Sequence, residues 1–78
     1  MKLHTASGVF ENIAKAEDAK EYLLAQELEF TDGDIIITTL TPGEENVLLK
    51  AHADSPREMQ EAVDVIRNYG GVDINMTA

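Results

Sequence analysis

The sequence predicts an α+β domain: a four-stranded antiparallel sheet with two helices on one face, in the order β-α-β-β-α-β. Three observations carry this. The stretch Asp-Ile-Ile-Ile-Thr-Thr, starting at Asp34, returns at Asp73 as Asp-Ile-Asn-Met-Thr-Ala, so two halves of the chain end alike. Each copy follows a segment whose apolar residues recur at helical spacing. Between the halves, Pro42-Gly43 has the chemistry of a hairpin tip.

The first strand is expected over residues 3–10. Phe10 is its largest apolar group, so Ala6, Gly8 and Phe10 are assigned to the helix side, leaving Thr5, Ser7 and Val9 outward. The first helix begins between Ile13 and Ala16, with Asn12 available as its cap. It aligns Ala16, Ala19 and Leu23 on one face, with Leu24 and Leu28 close by. No glycine ends it, so Asp32-Gly33 must make the turn. The second strand, 34–40, points Ile35 and Ile37 inward and Ile36 and Thr38 outward. In the third, 47–53, Val47, Leu49, Ala51 and Ala53 form the inner set, with Leu48, Lys50 and His52 outside.

The second helix has the strongest signature. Ser55 is a natural N-cap, Pro56 suits the first helical position, and Glu58 is placed to complete a capping box by reaching back to the cap's N–H. Met59, Ala62, Val63 and Ile66 then form one buried stripe, and Gly70 supplies the left-handed stop. The last strand, 72–77, is expected to bury Val72, Ile74 and Met76 and to expose Asp73 and Asn75. Two βαβ halves with right-handed crossovers, joined by a hairpin, give the strand order 4-1-3-2. This is the ferredoxin-like βαββαβ arrangement, a single domain over residues 1–78.

A chain of 78 residues buries only about 60% of its unfolded surface, and with no cysteine it has neither disulfides nor thiolate metal sites to add stability. Oligomerisation is the remaining common solution. A net charge of −9 opposes phosphate backbones and anionic lipid, so nucleic acid and membrane are not expected partners. No apolar run approaches a membrane span or a signal peptide, which makes the cytoplasm the expected location.

The open face is expected to carry Val9, Ile36, Leu40 and Leu48 among Thr5, Ser7, Thr38, Lys50 and His52. Ile36 stands where the second copy has Asn75. It also lies on an edge strand, where bare isoleucine is an aggregation hazard. Scattered surface apolars are ordinary, but edge and face here point the same way, toward a homodimer that uses Val9, Ile36, Leu40 and Leu48.

Several chemistries lack their residues. There is no cysteine pair for copper, no aromatic platform on strands 1 and 3 for RNA, and no arginine in the 11–15 loop for an acylphosphatase-like anion site. Ser7 has no base near it in sequence, and Ser55 is occupied as a cap. His4, His52 and Asp54 approach metal-ligand composition, yet strand alternation sends His4 inward and His52 outward, so neither metal nor cofactor is expected. Lys50 is the only lysine or arginine in any strand. With Ser7, Thr38 and His52 it could contact a small anion.

The stretches Gly-Val-Phe-Glu-Asn-Ile-Ala-Lys-Ala, Asp-Gly-Asp-Ile-Ile-Ile-Thr-Thr and Ala-Asp-Ser-Pro-Arg-Glu-Met, the last leading through a helix to Gly70-Gly71, resemble small bacterial general-stress-protein-type domains. Such domains usually carry glycine before the aromatic that precedes strand 2, where this chain has Glu29. The resemblance implies the fold and no catalytic residues. ACT-type amino-acid-binding domains share the topology, but their Asp/Asn-x-x-Gly loop after strand 1 is missing here. The expected function is therefore a non-enzymatic, homodimeric interaction or regulatory module, related to stress by the resemblance. The alternative is a small-molecule sensor that binds an anion or amino acid at a dimer interface.

Overall fold

A computed structural model describes residues 3–25 and 30–77. In chain order these form β1 (His4–Phe10), α1 (Ile13–Ala25), a 3₁₀ turn (Asp32–Asp34), β2 (Ile35–Thr39), β3 (Val47–Ala53), α2 (Pro56–Asn68) and β4 (Val72–Thr77). The strands make one sheet in the order β2-β3-β1-β4, every neighbouring pair antiparallel. Counted from the other edge this is 4-1-3-2. Leu28, expected on the inner side of the first helix, lies outside the described residues.

Both helices bury their apolar stripes against the same sheet face. Ala16, Ala19 and Leu23 of α1, and Met59, Ala62, Val63, Val65 and Ile66 of α2, share one core with Ala6, Phe10, Ile35, Val47, Leu49, Ala51 and Ala53. Among the described residues no polar or charged residue is buried with the core. The inward sets expected for the first three strands are the buried or half-buried ones. Small residues let the helices come close. A Cβ built on Gly8 would stand 2.4 Å from Ile66 Cγ2, so α2 rests directly on the β1 backbone.

Local chemistry sets the boundaries. Asn12 Oδ1 accepts from the Lys15 N–H at 2.9 Å and caps α1. Ser55 caps α2, its Oγ accepting from the Glu58 N–H at 3.2 Å. Glu58 Oε1 meets the Ser55 hydroxyl at 3.4 Å and not the cap's backbone N–H, so the expected reciprocal box is closed by side chains. Gly70 ends α2 at φ +93°. Pro42-Gly43 makes the hairpin turn with Gly43 at φ +88° and the Glu44 N–H on Thr41 O at 3.1 Å, a type II pattern. Asp34 carries the 3₁₀ turn, accepting from the Thr31 N–H and hydroxyl at 2.9 Å each, so β2 starts at Ile35.

The last strand corrects the sequence reading. Between Ser7 and Val9 the β1–β4 register slips: Ser7 pairs with Asn75 but Val9 with Val72, so two residues of β4, Asp73 and Ile74, stand against Gly8. Asp73 takes φ +50°, a left-handed conformation that aspartate tolerates better than most residues. This β-bulge rotates the strand. Val72, expected in the core, instead pairs with outward Val9 and is 59% exposed. Ile74 remains packed against the core. Met76 keeps the helix-side register of Ala6, but near the end of an edge strand it is 53% exposed.

Candidate functional site on the open sheet face

The face away from the helices resolves into three cross-strand rows. Reading from β2 to β4, they are Thr38–Leu48–Val9–Val72, then Ile36–Lys50–Ser7–Asn75, then His52–Thr5–Thr77 on the last three strands. Neighbours within a row have Cβ atoms about 5 Å apart, and diagonal neighbours lie at about 7–8 Å. Leu48 therefore sits at the centre of an apolar patch. Val9 is beside it with Val72 beyond, while Ile36 and Leu40 flank it diagonally on the β2 side. Val9 and Leu48 are half-buried by their neighbours; Ile36 and Leu40 are 44% and 46% exposed.

Of the residues expected at an interface, the structure thus brings Val9, Ile36 and Leu48 together on the open face. Leu40 lies just past the end of β2, its N–H on Asn46 O at 3.4 Å across the hairpin mouth. Val72, which strand alternation alone assigns to the core, completes the patch. One signal could have found it: Gly8, an isolated glycine in a strand, often marks a bulge in its partner.

The polar candidates divide. Ser7 and Lys50 are direct partners, and His52 stands one row on, its Nδ1 3.0 Å from Thr5 Oγ1. Thr38 lies on β2 in the apolar row, with β3 between it and Ser7. Lys50 is exposed and makes no ion pair among the described residues. His4 pairs with Ala53 on the helix side, its Nδ1 buried without a hydrogen-bond partner among the described residues, so it and His52 point to opposite faces. Among the described residues no three metal-ligating side chains cluster.

The electrostatics of this face oppose those of the chain. None of the residues in the three rows is a carboxylate, although the chain has fifteen. Asp34, Asp54 and Asp73 adjoin the rows in the chain and lie at their margin. No helix among the described residues is long and apolar enough to cross a membrane. No family model matches the chain, and no curated protein or solved structure is matched by it.

Proposed function

We propose that the chain is a ferredoxin-like, cytoplasmic, non-enzymatic interaction or regulatory module that works as a homodimer, with the link to stress resting on the resemblance alone. The two copies meet through their open sheet faces, with Val9, Ile36, Leu40 and Leu48 joined by Val72. The observation that carries this reading is the apolar patch set among three cross-strand rows that hold no carboxylate. Elsewhere a second copy of a chain of charge −9 meets like charge; within these rows Lys50 is the single charged side chain of fixed sign, and the aspartates are kept to the margin. Burial of each large apolar side chain there is worth about 1.5–3 kcal/mol before the cost of association, which matters to a domain this small.

Light scattering on eluting protein tests it. Wild type is expected at twice the 8.6 kDa chain mass. Ile36→Asn, the residue that the second copy of the repeat uses in the same cross-strand row, is expected at the single mass. A monomeric wild type sinks the reading.

Lys50 favours one second reading. An unpaired cation opposite Ser7, beside the bonded Thr5–His52 pair, suits a small anion or an amino-acid carboxylate held between copies. Phosphate, sulfate or single amino acids would then raise the melting temperature of wild type but not of Lys50→Met.

A further inference from the structure

We propose that the free edge of β2, together with the trough between that edge and α1, takes an extended peptide whose central apolar side chain is flanked, two residues away on each side, by lysine or arginine. This lies beyond the self-association reading and uses the opposite side of β2, through Ile37 and not Ile36.

Among the described residues β2 has a strand neighbour on one side only, which leaves its outer backbone donors and acceptors to another strand. On the helix side this edge borders a trough of about 380 Å³. Ile13, Leu24 and Ile37 line its apolar part, and Glu17 and Glu21 of α1 its wall. Lys20 and Asp32 line it too, joined as an ion pair at 3.0 Å, so the one cation of the lining is matched by a carboxylate and Glu17 and Glu21 are left in excess. Past Ile13 a second hollow of about 230 Å³ continues along Thr39 to Glu44 and Glu45. Ile13 is 54% exposed, an apolar residue at the junction of both hollows.

A strand added to this edge advances about 3.3 Å per residue and turns every second side chain toward the trough. Its middle side chain then lies over Ile13 and Ile37. The same-face neighbours, about 6.6 Å away on each side, approach Glu21 and the Lys20-paired Asp32 in one direction and Glu44 and Glu45 in the other. Such a wall selects cations. A second copy of this chain is the wrong occupant, because it would bring its own Asp32, Glu44 and Glu45 against the same carboxylates. The charge that excludes self-pairing at this edge is the charge that draws a basic segment.

The probe is a fluorescein-labelled peptide, Thr-Lys-Thr-Val-Thr-Lys-Thr, titrated with the full chain and followed by anisotropy. Saturable binding is expected, weakening severalfold between about 50 and 300 mM salt. The Glu-for-Lys peptide is expected not to bind. Glu17→Lys with Glu21→Lys, two exposed helix positions that leave the core intact, should weaken binding about tenfold or more. Amide shifts in a ¹⁵N spectrum should fall on Ile35–Thr39 and on α1. Ile36→Asn should bind as wild type does, so failure of the dimer and failure of this proposal are told apart. Equal binding of both peptides, no binding of the basic one, indifference to the double reversal, or shifts confined to the Ser7–Lys50 face would each overturn it.

Discussion

Single positions in this domain are decided by steric room and backbone conformation. Ile66 touches the backbone twice: a Cβ on Gly8 would stand 2.4 Å from its Cγ2, and one on Gly71 would stand 2.4 Å from that methyl and 2.8 Å from the Ile66 carbonyl oxygen. Gly8→Ala is expected to lower unfolding free energy by about 1–3 kcal/mol in a urea titration, with Gly71→Ala lower still, because backbone cannot step aside. Asp73, at φ +50°, yields two effects of opposite sign. Asp73→Gly should stabilise by about 0.5–1 kcal/mol, while Asp73→Val, β-branched in a left-handed conformation, should cost about 1–2 kcal/mol. Equal effects in the same titration would show that the bulge is not what holds Asp73 there. This position also marks where the sequence was legible and where it was not. Alternation placed Ile35, Leu49 and Phe10 correctly because period-2 patterning is a local property. It failed at Val72 because the bulge is a slip in the pairing of β4 with β1 at Gly8, between segments far apart in the chain.

At the scale of elements, α2 is the most legible because each of its signals is local: a cap, a proline, a stripe and a glycine stop within one segment. Ser55→Ala removes the acceptor for the Glu58 N–H and should cost about 1 kcal/mol by chemical denaturation. An unchanged midpoint would assign the cap to another group. The start of β2 was less legible, since Asp34 closes a turn onto Thr31 and does not open the strand. The α1 margin holds an exposed pair in which Lys15, by hydrogen bond and charge, keeps the Glu11 carboxyl below its ordinary range. The folded-state value is the depressed one, so its small contribution is present above the unfolded value and lost as pH falls through the folded one.

At the scale of the molecule, the two halves are related in more than sequence, since Ile36 and Asn75 sit at opposite ends of a single cross-strand row. The candidate face was half legible. Its residues on β1, β2 and β3 follow from alternation, but the absence of carboxylates from its rows appears only once the register is known. Raising salt should separate the two contacts proposed above. The face-to-face dimer, apolar at its centre, should keep its mass between about 50 and 300 mM salt in light scattering, while a peptide held by carboxylates should leave. A dimer that dissociates with salt would mean that charge, and not the apolar patch, joins the copies. The bulge gives this symmetry its exception. It distorts β4, one of two strands that could otherwise extend the sheet, whereas β2 pairs with β3 in unbroken register. In the language of polymer chemistry, the unit is a chain stopper: it has one open strand, and the carboxylates beside that strand refuse a second copy of itself.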